Sequence, residues 1–237
     1  MIQELPFYIG FVFAGTTLLT LLLFFWMLKK SQHQIVKDTL RPIYFGLVIW
    51  IALQGQLSFF HVYTNTLTQF PPRIMLLGVF PTLVCMVLLF ATKKGRAFID
   101  GLSLQYLTLI NVVRIPVELV LYFLFINKAI PEVMTFEGRN FDILAGLTAL
   151  PILYLVFSKG QLTKPRILLA WNIICLILLL NIVITAIFAV PSPFQKLGFE
   201  QPNIAILYFP FSWLPTFIVP VVLFGHLVSI RQLLKIK

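Results

Sequence analysis

Four polar side chains recur at helical spacing inside an otherwise apolar stretch: Asn111, Arg114, Glu118 and Tyr122. At about 100° per residue they fall within an arc of roughly 80°, a single stripe along one helix. A charge held at mid-membrane costs about 2.5–3.5 kcal/mol on insertion scales, so such groups face protein, ligand or water rather than lipid. Arg114 in that setting can anchor an anion or a carboxylate, and Glu118 can carry a proton or hold a cation. Arg preceding Glu at i,i+4 is the poorer order for an intrahelical bridge, which directs both side chains toward other helices or toward a ligand. The competing reading is a pair neutralised by its neighbours that serves packing alone. Pro116, between the two, frees the carbonyl of Val112 and bends the helix.

A second stripe, Gln54, Ser58, His61 and Asn65, rises at the same spacing, with Gln54 at about the depth of Arg114 and His61 nearer that of Tyr122. A third cluster, Glu137, Arg139, Asn140 and Asp142, crowds the start of a later apolar run. Asn140 or Asp142 is expected to cap that helix, since short polar acceptors suit its orphan N–H groups and carboxylates its positive end. Gly138 permits a tight fold-back, by which Glu137 and Arg139 would reach over the Arg114–Glu118 stripe as a lid. These residues together define the expected ligand-binding site: an outward-facing polar pocket whose walls include His61, Glu118 and Tyr122.

The elements that must position these groups follow from composition. The chain has 237 residues, 59% hydrophobic and only 11% charged. Soluble domains average about 25% charged, so a soluble fold is excluded. Apolar runs with charged borders place spans at 7–28, 42–63, 74–91, 102–126, 141–157, 167–190 and 208–230. The expected fold is therefore all-α: a polytopic integral membrane protein, a single seven-transmembrane-helix bundle with no strands of consequence and no separate extramembrane domain. The pocket would lie between the second, fourth and fifth spans.

The net charge of +10 is topological. Thirteen of the eighteen Lys and Arg residues fall on one side, in the first, third and fifth connections and at the C-terminal end. Arg73, Lys128, Arg139 and Lys196 fall on the other side, and Arg114 lies within a span. The positive-inside rule then sets the N-terminus outside and the C-terminus in the cytoplasm. No nucleic-acid partner is called for. The fifth span is the shortest and is interrupted by Pro151, but deleting it would strand two basic clusters on the wrong face. The first apolar run ends at Lys29-Lys30 rather than at a small-residue cleavage site, and reads as an uncleaved first span.

Several chemistries can be set aside. The seventh span contains no lysine, so a retinal Schiff base there is excluded. Of three histidines, His33 lies in a connection, and His61 and His226 sit toward opposite ends of their spans, which argues against a bis-histidine haem. No metal site is expected, because the convergent His, Cys or Asp ligands of a zinc centre are lacking. Cys85 and Cys175 both lie in apolar runs and form no disulfide framework. No nucleophile elbow, P-loop or H-E-x-x-H occurs. The expected function is binding or transport of a small or lipid-soluble molecule, with no cofactor and with membrane lipids as partners, in a plasma membrane of prokaryotic type. The alternatives are an intramembrane acid–base enzyme acting on a lipid or isoprenoid-like substrate, with Glu118 or His61 as the acid, and a structural subunit of a larger membrane complex.

Overall fold

The computed structural model describes residues 5–64 and 71–236. The described residues are mostly helical. Helix α1 (Phe7–Lys30) is followed after three residues by α2 (Gln34–Phe59). A π turn (Met75–Val79) leads into α3 (Phe80–Ala91), which meets α4 (Lys93–Asp100) at a 92° bend. Next come α5 (Leu104–Leu109), a 3₁₀ turn (Ile110–Val113) and α6 (Arg114–Ile126), which together form one apolar rod. Helices α7 (Ile143–Val156) and α8 (Pro165–Ala189) follow, and a second π turn (Leu214–Ile218) opens α9 (Val219–Lys235). Five of these units are long and apolar enough to cross a membrane: α1, α2, the α5–α6 rod, α8 and the rod ending in α9. The bent α3–α4 pair is a sixth candidate, and α7, with fourteen residues, is shorter.

Several boundaries differ from those expected. Helix α2 starts at Gln34, not at 42, because hydropathy registers only the buried length and misses a polar first turn. Residues 93–100, expected as a connection, form the amphipathic helix α4, with Phe98 and Ile99 buried beneath Lys93, Lys94 and Arg96. The last rod runs from Leu214 to Lys235, shifted by about five residues from the expected 208–230. The connection after α7 closes as a small hairpin, β1 (Phe157–Ser158) against β2 (Gln161–Leu162), turned by Lys159 and Gly160.

The basic ends of these helices meet. Ser31 Oγ at the end of α1 donates to Gly101 O at 2.7 Å. Asp100 accepts from Arg231 Nε at 3.0 Å and from Lys235 Nζ at 2.5 Å, tying α4 to α9. Within α1, Thr16, Thr17 and Thr20 donate back to carbonyls four residues earlier, which satisfies their hydroxyls inside an apolar helix.

Two prolines organise the other side of the bundle. Pro81 and Pro220 each follow a π turn by two residues, and the two π turns pack together. A proline cannot donate to the carbonyl four residues back. For Pro81 that carbonyl is Leu77 O, and Gln54 Nε2 donates to it at 3.0 Å. For Pro220 it is Thr216 O, which accepts from Trp50 Nε1 at 2.9 Å. Helix α2 thus supplies, from positions one turn apart, the donors that two broken helices lack. Trp50→Phe is expected to cost about 1–3 kcal/mol, the range for an unpaired buried polar group. In a Pro220→Ala background, where the helix regains its own donor, the cost should shrink. Unfolding in mixed micelles measures both, and equal costs in the two backgrounds would refute the assignment.

Candidate functional site

The Arg114–Glu118 stripe turns into the protein interior, and Arg114 and Glu118 are 3% and 2% exposed. Arg114 Nη1 donates to Asp142 Oδ1 at 2.9 Å, from the start of α7. Its Nη2 lies 3.1 Å from His226 Nε2 on α9. A guanidinium only donates, so His226 Nε2 accepts and Nδ1 carries the ring proton. That Nδ1 then donates to Asn172 Oδ1 on α8 at 2.9 Å, and Asn172 Nδ2 donates to Leu168 O at 2.9 Å. One directed chain of hydrogen bonds therefore links α6, α9 and α8.

Glu118 joins through the connection to α7. Asn140 Nδ2 donates to Glu118 Oε2 at 2.6 Å and to Met134 O at 3.0 Å, while its Oδ1 accepts from the Asp142 N–H at 3.0 Å. Asn181 Nδ2 on α8 holds the same segment through Arg139 O at 2.8 Å. Close approach of α7 depends on Gly146, where a Cβ would press on Ile115 and on Arg114 Cβ. The result is a cluster of one guanidinium and two carboxyl groups, joined by His226, Asn140 and Asn172, at the meeting of four helical rods.

The third cluster has its roles exchanged relative to expectation. Asp142 makes no side-chain cap to α7 and instead pairs with Arg114. Asn140, also expected to cap the helix, accepts instead from the N–H of Asp142, the residue before α7. Glu137 and Arg139, expected to reach inward, are exposed, and Glu137 lies beside the Tyr122 hydroxyl. Tyr122 is half-buried and stacks on Phe136 at 4.9 Å. The segment lies over the end of α6, but Asn140 and Asp142 hold it there. Asn111 is buried, and its Nδ2 donates to Leu107 O and Thr108 O of its own helix.

The second stripe belongs elsewhere. Gln54 is buried against the π turn before α3 and also accepts from the Tyr63 hydroxyl. Ser58 reaches Leu207 O, and His61 lies edge-on to the Tyr208 ring in a small hollow with Ser58 and Phe209. Asn65 lies outside the described residues. The expected pocket between the second, fourth and fifth spans is corrected by this packing: α2 faces α3 and α9, and its polar groups answer proline-freed carbonyls there. Sequence reasoning placed His226 near the end of a span and did not single out Asn172. With the last rod ending at Lys235, His226 sits near mid-length, level with Arg114. An Asn within an apolar helix, one of two in α8, was the available signal for Asn172.

An apolar cavity lies on the opposite face of α9. It has a volume of about 700 Å³ and runs behind α2, between α2, α3, α4 and α9. Ile43, Leu47, Met86 and Phe224 are representative of its walls. Its hydroxyls are already committed: Thr39, Thr82 and Thr216 each donate to a backbone carbonyl within their own helix. Trp50, the last α2 residue along its wall, donates to Thr216 O. Helix α2 has fully buried residues only near its two ends (Val36, and then Gln54, Gly55 and Ser58), while its middle packs partly, through Ile43 and Leu47 on the core and Tyr44 on Phe25 of α1. Phe224, on the cavity wall, and His226, in the polar cluster, are two residues apart and about 200° around α9. One helix therefore serves both features, held by the cluster on one side and lining the cavity with the other.

A search of curated proteins and a search of solved structures each returned no match. One family model matches residues 71–234, which takes in α3 to α9, the whole polar cluster and most of the cavity wall outside α2. The chain belongs to the family described as Domain of unknown function (DUF8737).

Proposed function

We propose that this protein is a seven-span membrane protein that binds a lipid-soluble molecule in the cavity behind α2, with its basic end in the cytoplasm and its N-terminus outside. The observation that carries the reading is the cavity itself. Its volume of about 700 Å³ lies within the ~300–1,000 Å³ usual for ligand pockets, and its walls offer hydrocarbon and almost no free hydrogen-bonding group. A polar solute would gain nothing there, whereas an apolar chain would leave no polar group unpaired. Arg114, Glu118 and His226 line none of it and are bonded to side chains of their own chain. Their arrangement favours a structural role, fixing the rod that forms one cavity wall, over acid–base chemistry on a substrate.

Gly46 provides the test. It lines the cavity, and a Cβ placed there would meet nothing within 4 Å. Gly46→Leu should fill the space without a clash, and helix propensity favours the change by roughly 0.8 kcal/mol. Mass spectrometry of organic extracts should find a long-chain molecule retained by the purified wild type and largely lost from the variant, with thermal stability undiminished. Equal retention by both would overturn the reading. The orientation has its own test. Reporter fusions at His33, Gly95 and Leu162 should read cytoplasmic, and those at Thr135 and Gly198 external; a reversed reading at Leu162 would remove α7 as a span.

A further inference from the structure

Lys94 is the one charged residue among those lining the cavity, and no hydrogen bond or ion pair engages its amine among the described residues. It stands in the first turn of α4, just past the 92° bend, at the basic end of the bundle. The other ionisable groups around it are occupied or turned away. Arg96 Nη1 is spent on Phe90 O and Ala91 O at the end of α3. Lys93 and Lys94 are both exposed, but only Lys94 lines the cavity. Of the nearby acids, Asp38 accepts from Gln34, and Asp100 is held by Arg231 and Lys235. The start of α4, capped by Thr92 Oγ1 accepting from Gly95 N at 3.1 Å, adds the positive end of a helix dipole at the same place.

The cavity thus has a long hydrocarbon wall, reaching Trp50 at one end and marked toward the basic end by a single unpaired cation. Ile35 and Trp50, both on its wall, are fifteen residues apart on α2, about 22 Å along the helix axis. We infer that the ligand is an anionic membrane lipid, its acyl chain lying behind α2 toward Trp50 and its negatively charged headgroup at Lys94. Charge complementarity selects this occupant. A neutral chain would make no use of the Lys94 amine, which is exposed at the cavity's rim, and a cationic amphiphile would be repelled by it. This inference rests on the reading that the cavity holds a lipid-soluble molecule and adds the chemistry of its polar end.

Bromine quenches tryptophan fluorescence on contact, and Trp50 lies on the cavity wall. The protein is reconstituted in phosphatidylcholine bilayers containing increasing fractions of brominated-chain phosphatidylglycerol or brominated-chain phosphatidylcholine. The quantity read is the quenching that Gly46→Leu abolishes. A lysine near a membrane surface favours an anionic lipid by about 1 kcal/mol, or about fivefold. The wild type should therefore half-quench at about a fivefold lower fraction of brominated phosphatidylglycerol than of brominated phosphatidylcholine. Lys94→Gln should remove that preference while leaving quenching by phosphatidylcholine in place. Lys93→Gln, an equal loss of charge one residue away, should keep the preference. Equal quenching by the two lipids in the wild type, or equal effects of the two lysine variants, would overturn the anionic assignment and leave the cavity reading standing. Quenching unchanged by Gly46→Leu would overturn both.

Discussion

Replacing Arg114 with Leu is expected to destabilise the protein by about 3–5 kcal/mol, the range for removing one partner of a buried ion pair. The cause is what remains. Asp142, with its side chain 7% exposed, loses the one cation that pairs with it among the described residues, and Glu118 loses a neighbouring positive charge. His226 Nε2, which accepts from the guanidinium, is left facing an apolar side chain. Arg114→Leu combined with Asp142→Leu should recover part of the loss, because it removes the stranded carboxylate along with its partner. Unfolding transitions in mixed micelles give the comparison. A double variant no more stable than Arg114→Leu alone would mean that the pair is not the source of the cost.

Asn140 is expected to show the next largest effect, with an order that separates two explanations. Its amide donates to Glu118 Oε2 and to Met134 O, and its carbonyl accepts from the Asp142 N–H. Asn140→Ala removes all three bonds and should cost about 1–3 kcal/mol, as for a buried group left unsatisfied. Asn140→Asp keeps the shape and the acceptor but sets a carboxylate 2.6 Å from where Glu118 Oε2 lies. It should therefore be the worse of the two. If Asn140 serves only as a space-filling turn residue, Asn140→Asp should instead be the milder change. Protease cleavage in the 135–142 segment gives an independent reading, with Asn140→Asp cut fastest.

The residues that were legible in the sequence were those for which lipid leaves no alternative. Arg114 and Glu118 cannot face hydrocarbon, and their spacing assigns them to one helix face, so their burial against other helices followed from elementary electrostatics. Asp142 was legible as important but not in its role, because capping and pairing call for the same short carboxylate at the same place. His226 was discounted through a boundary error of five residues, which moved it from the middle of a rod to its end. Gln54 was expected to join a ligand site with the Arg114 stripe, whereas the structure buries it against Leu77 O and the Tyr63 hydroxyl. The prolines that need it, Pro81 directly and Pro220 through neighbouring Trp50, are visible in the sequence, but which helix packs beside them is not. The cavity was the least legible feature. It arises where the middle of α2 packs only partly on its neighbours, and composition carries no record of how closely two helices meet.

The most direct test of the proposed function is an experimental density map of the protein in lipid nanodiscs. The account predicts elongated density in the space enclosed by Ile43, Leu47, Met86 and Phe224, running from Lys94 toward Trp50 and absent from Gly46→Leu. A map in which α2 instead packs directly onto α3 and α9, with no space between them, would contradict it.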